Sequence, residues 1–90
     1  MIRKARVDLN QKDIVFILRS HGAVVLHTHT LKNLFDIIVC YKGKTFLVEI
    51  KDGNKPLTEG EIKCKQLVES VDVKYWVVRN VQDAIDMLEN

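Results

Sequence analysis

Apolar and polar positions along this chain repeat with two different periods, and the switches between them mark out a series of helices and strands. Residues Asn10–His21 place Ile14, Val15, Ile17 and Leu18 on one helical face, with Asn10 positioned to cap the start and Gly22 to stop the end. Ala23–His29 is apolar and β-branched, which predicts a strand, and Thr30–Leu34 is a polar-leaning connection. Phe35–Tyr41 and Thr45–Lys51 are continuous apolar runs, the second ending in charge, and Lys42-Gly43-Lys44 between them predicts a hairpin turn. Asp52–Leu57 contains Gly53, Asn54 and Pro56 and must be a loop. Thr58, with Glu61 three residues on, forms a capping box that opens a helix running to about Ser70. Val73–Arg79 predicts a further strand, and Asn80 caps a last short helix to about Leu88. The order αβββαβα predicts an α/β fold, with helices flanking a mixed central sheet.

Length and composition narrow this picture. Ninety residues are expected to make one domain spanning 1–90. A hydrophobic share of 47% beside 29% charged residues fits a folded globular chain rather than a disordered one. No apolar run approaches the roughly 20 residues of a membrane span, and the basic start Met1–Arg6 lacks the apolar stretch of a signal peptide. The expected location is therefore the cytoplasm, without membrane association. Cys40 and Cys64 have no CxxC partner and read as ordinary free thiols. The net charge is only +2, but the last ten residues hold Asp83, Asp86 and Glu89 with no basic residue. The first eighty thus carry all 14 Lys and Arg against nine of the 12 acids, a basic excess of the kind phosphate binding needs.

The chemistry concentrates in Phe35-Asp36-Ile37-Ile38 and, after the hairpin, Val48-Glu49-Ile50-Lys51. Strand alternation puts Glu49 and Lys51 on one face about 6.6 Å apart, while Ile50 points to the other. Asp36 opens the partner strand, and the short hairpin can bring its carboxylate across to Glu49. Charged residues at strand ends are ordinarily solvated, and an isolated E-x-K arises by chance. Two carboxylates and an ammonium converging on a sheet face, however, are costly to desolvate unless a cation joins them. Mg²⁺ or Mn²⁺ suits such oxygen donors, with Asp36, Glu49 and the Ile50 backbone carbonyl as the protein ligands. In that setting Lys51 orients the attacking water and offsets negative charge building on a phosphate.

These residues also resemble a known family, the stand-alone VRR-NUC nucleases of the PD-(D/E)XK superfamily, small phage and bacterial enzymes allied to Holliday-junction resolvases. The resemblance runs from Arg6-Val7-Asp8-Leu9-Asn10-Gln11 through Phe35-Asp36-Ile37-Ile38-Val39 and Leu47-Val48-Glu49-Ile50-Lys51-Asp52-Gly53. It continues through Lys55-Pro56-Leu57-Thr58 and Val77-Val78-Arg79-Asn80-Val81 to Ala84-Ile85-Asp86-Met87-Leu88. It implies a single restriction-endonuclease-like domain and a metal-dependent endonuclease acting on DNA, with branched DNA such as junctions or flaps as the expected substrate. It also implies Asp36 and Glu49 as metal-binding catalytic residues, Lys51 as the catalytic lysine, and Gln11 as a first-helix side chain near the metal. Two departures stand out. The family's Pro before the catalytic Asp is Phe35, and its glycine-rich loop is Thr30-Leu31-Lys32-Asn33-Leu34, without glycine; the second bears on substrate choice.

A non-catalytic nucleic-acid-binding or protein-interaction module on the same fold is the competing expectation, since fold does not fix function. His27 and His29 share a strand face, but no third ligand stands nearby in the pattern, so they are expected to border a DNA groove or to be simply exposed. Tyr75 and Trp76 are expected in the core. Glu61 or Gln66 on the second helix can face the site without being singled out. A homodimer is expected, because a two-fold pair of sites matches the symmetry of a junction; candidate interfaces are the hairpin around Tyr41 and Phe46 and the faces of the second helix.

Overall fold

The first helix, α1, spans Arg3–Ser20 and is longer than its apolar stripe requires. Asn10, expected to cap it, lies well inside: the preceding residues continue the helix, and its side-chain amide turns instead toward the Lys51 carbonyl, 3.5 Å away. The computed structural model describes the backbone of residues 3–90 and the side chains of residues 10–90. The extreme N-terminus and the side chains of the Arg6–Leu9 piece lie outside the described residues. Beyond α1 come β1 (Val24–His27), β2 (Ile37–Tyr41), β3 (Lys44–Ile50), α2 (Glu59–Glu69), β4 (Tyr75–Val78) and α3 (Val81–Leu88), in the expected order αβββαβα. The strands are shorter than their apolar runs, because Phe35, Asp36 and Lys51 flank the ladders rather than join them.

The four strands lie in sequence order, β1 to β2 and β2 to β3 antiparallel and β3 to β4 parallel through the α2 crossover. This is the mixed α/β sheet that the pattern predicts. The β2–β3 hairpin turns on Lys42 and Gly43, both with positive φ (47° and 80°), the two-residue geometry whose twist matches paired strands. Both helix caps are formed as read. Thr58 and Glu61 complete a reciprocal capping box on α2, and the Asn80 side chain accepts from the Asp83 amide on α3.

Side-chain alternation gives the sheet two different faces. Val25, Val39, Phe46, Ile37, Val48 and Val78 pack against Ile14 and Leu18 of α1 and against Ala84 and Met87 of α3. Ile14, Ile37, Val48 and Met87 are fully buried there, each such side chain contributing roughly 1.5–3 kcal/mol. Phe46 is edge-on to Trp76 within this layer, 5.7 Å between ring centroids. Its burial removes it from the expected interface around the hairpin. Tyr75, Glu49 and Cys64 are buried outside this cluster, toward α2. Among the described residues no helix is long and apolar enough to cross a membrane.

Candidate active site at the end of the sheet

Asp36 sits one residue before β2 and is held by the strands on either side. Its amide donates to the Val48 carbonyl at 2.9 Å, and its carbonyl accepts from the Thr28 amide at 2.8 Å. The Thr28 hydroxyl adds a 2.7 Å bond to the Phe35 carbonyl. The Asp36 carboxylate then turns to β3, where Oδ2 accepts the Ile50 amide at 2.8 Å. Because the N–H and C=O of one strand residue project toward the same neighbour, the Ile50 carbonyl shares that side of β3 with Asp36.

Glu49 is only 4% exposed, although it is a carboxylic acid. Lys51, two residues on and just past the end of β3, lies on the same face, with Nζ 3.8 Å from Glu49 Oε2, as alternation requires. The ammonium is nearer to a third carboxylate: Nζ is 2.8 Å from Glu61 Oε1 on α2. The same oxygen accepts the Thr58 amide at 2.9 Å, so the cap that starts α2 also delivers a carboxylate to the site. Of the two α2 residues able to face the site, Glu61 and Gln66, it is Glu61 that reaches Lys51.

Two carboxylates, Glu49 and Glu61, therefore flank one ammonium, and a third, Asp36, bears on Glu49. Burial, then the Asp36 carboxylate, then Glu61 push the Glu49 carboxyl up to about 9, and Lys51 offsets only part of this. Burial pulls Glu61 upward too, but its bonds to Lys51 and to the Thr58 amide outweigh that and hold it below the usual carboxylate range. The floor of the site feels the same negative field: burial and Glu49 raise both the Tyr75 phenol and the Cys64 thiol. Tyr75 Oη donates to the Leu34 carbonyl at 3.0 Å, tying the floor to the 30–34 loop.

The loops around the site are fixed by specific contacts. A Cβ built on Gly60 would come within 2.2 Å of Asn33 Oδ1, so the missing side chain lets the 30–34 loop sit directly on the first turn of α2. On the far side Arg79 Nη1 donates to the Gly53 and Lys55 carbonyls at 2.8 and 2.7 Å, closing the 52–57 loop.

The structure thus brings together Asp36, Glu49, Lys51 and the Ile50 backbone, as expected from the sequence. It sets Gln11 elsewhere, in a groove between α1 and β1 that also holds His27 and His29. The neighbouring Asn10 is the first-helix residue that touches the Lys51 backbone. Among the described residues no group of three or more His, Cys, Asp or Glu side chains is arranged as a metal cluster. The oxygen-rich set at the sheet end consists of Asp36, Glu49 and a main-chain carbonyl. Comparisons of the chain with protein-family models, with curated proteins and with solved structures find no match in any of the three.

Proposed function

We propose that this protein is a metal-dependent DNA endonuclease of the PD-(D/E)XK type, a restriction-endonuclease-like relative of the stand-alone VRR-NUC enzymes, selective for branched DNA. The observation that carries the reading is the burial of Glu49 beside Asp36 and Glu61 with Lys51, among the described residues, as the one ammonium drawn to them. A buried excess of negative charge is relieved either by a proton or by a cation.

The donors present fit a hard divalent cation. Asp36 and Glu49 offer carboxylate oxygens and Ile50 a carbonyl, the donor types that Mg²⁺ and Mn²⁺ prefer, with room needed for water and substrate phosphate. Such an ion, when bound, supplies Lewis acidity toward the phosphodiester. Asp36 and Glu49 would hold it. Lys51, anchored through its backbone amide to the Val78 carbonyl at 3.1 Å, directs its ammonium to the attacking water and to the charge that grows on the phosphate. Glu61, 2.8 Å from Nζ, holds that ammonium in place.

The partners in this reading are branched DNA and a second copy of the chain. The sheet edge at β1 leaves Val24 and Leu26 exposed, and α2 exposes Leu67, apolar surface that suits a self-interface better than the hairpin does. Gel assays on duplex, single-stranded, flap and four-way-junction DNA, with Mg²⁺ and with Mn²⁺, test the function. Selective incision of the branched forms is expected. DNA binding with no incision under any condition would favour a non-catalytic binding module.

A further inference from the structure

The paired histidines belong to a groove that the cleavage chemistry does not use. It runs between α1 and the edge strand β1, has a volume of about 790 Å³, and is lined by Lys12, Phe16 and Arg19 from the helix, by His27 from the strand and by His29 just past its end. Asp13 is its one carboxylate among the described residues. Phe16 is 71% exposed, an unusual place for a phenyl ring with an apolar core one turn away. The Arg19 guanidinium is laid across the strand by a 3.1 Å bond from Nη2 to the Val25 carbonyl. The two imidazoles stand edge to face, 5.9 Å between centroids.

The groove and the candidate active site meet at the end of the sheet. Thr28, between the two histidines, is the residue bonded to the Asp36 and Phe35 main chain. At the other wall Asn10, next to Gln11 of the groove lining, reaches the Lys51 carbonyl. The groove lies on the α1 side and the carboxylates on the α2 side, so a polymer passing over the sheet end would occupy both in turn.

We propose that this groove holds a single strand of DNA that continues from the cleavage site over the end of the sheet. Phe16 provides a platform on which a base stacks, while Lys12, Arg19 and the two imidazoles face phosphates. An exposed aromatic ring set among cationic side chains is the combination that binds single strands without reading sequence. A strand with unpaired bases, as found at a flap or an opened junction, fits it, whereas the bases of an intact duplex are stacked on one another and unavailable. The inference rests on the nuclease reading, and its test separates the two.

The test is the affinity of a labelled single-stranded oligonucleotide, followed by fluorescence anisotropy at low salt in EDTA, with light scattering on each protein. Phe16→Ala is expected to weaken binding at least about five-fold, the lower end for loss of one stacked base. A Lys12→Ala/His29→Ala variant is expected to weaken binding and to flatten its salt dependence. All three side chains are exposed, so the fold is not at stake. Wild-type affinity in both variants, with DNA cleavage intact, overturns the groove and leaves the nuclease reading standing. Weaker binding in the variants, from a wild-type protein that cuts no DNA, upholds the groove and removes the nuclease. A wild-type protein that binds no single strand overturns the groove outright. A Phe16→Ala protein whose mass halves while affinity is unchanged would mark the groove as a contact between copies and overturn the proposal.

Discussion

The Asp36 carboxylate accepts the Ile50 amide at 2.8 Å, so a side chain takes the place of the next ladder bond where β2 has not yet begun. One residue earlier on β3, Glu49 is buried and feels the Asp36 charge. This junction of a strand start with a strand end is what gathers acidic oxygens at one point. Asp36→Asn and Glu49→Gln, which preserve side-chain shape, should each abolish cleavage. Circular dichroism should show both variants folded, and a folded variant with wild-type cleavage would remove that carboxylate from the chemistry.

Glu49 also makes the metal-free fold sensitive to pH. Its carboxyl lies near 9 in the folded chain against an ordinary 4.5, so the folded state holds the proton more tightly. That contribution is fully present below pH 4.5 and is lost as pH rises toward 9, at a slope of up to ~1.4 kcal/mol per pH unit. In EDTA the melting temperature of wild type should therefore fall relative to Glu49→Gln across this window, and Mg²⁺ should remove the difference. Parallel melting curves for the two proteins would contradict the buried acid.

Lys51 is proposed to serve the transition state. Lys51→Ala should lower kcat by about 10²–10³-fold, the usual size of a lost electrostatic donor. Affinity for DNA should change far less. The reverse pattern, weak binding with normal turnover at saturation, would assign it to substrate binding.

Most of the fold was legible because its signals are local. Thr58 with Glu61, Asn80, and the Lys42-Gly43 turn each act within a few residues, and the apolar runs reveal the strands. The start of α1 was not legible. Asn10 has the chemistry of a cap, but a contact 41 residues away with the Lys51 backbone competes for its side chain. The core of the site followed from strand alternation for Glu49 and Lys51, and from the hairpin for Asp36. Gln11 and Glu61 depended on how helices dock against the sheet, which spacing along one chain does not encode. Gln11 lies in the groove, and Glu61 lies on Lys51.

The contact between Gly60 and Asn33 should be measurable as stability. Gly60→Ala gains roughly 1 kcal/mol of helix propensity, but its new methyl meets Asn33 Oδ1, and overpacking of this kind costs about 1–3 kcal/mol. The single variant should be destabilised or neutral in urea unfolding. Adding Asn33→Gly, which suits the φ of 60° at that position, should make the pair more stable than wild type. A pair no better than Gly60→Ala alone would show that the loop does not rest on the helix.

Binding to DNA should be strongly salt-dependent despite the small net charge. Lys32, Lys55 and Lys63 are exposed in segments that border the site, while Lys65 is held by Glu69 at 2.7 Å. Three phosphate contacts give a slope of about −3 in log K against log salt. A flat response would make the basic excess ordinary surface.

The most direct measurement is the rate of strand cleavage in a labelled four-way junction as Mg²⁺ or Mn²⁺ is titrated into metal-free protein, for wild type and Glu49→Gln side by side. Saturable, metal-dependent incision by wild type that EDTA reverses is expected, and none by the variant at any metal concentration. Equal incision by the folded variant, or undiminished incision by wild type in EDTA, would contradict the proposal.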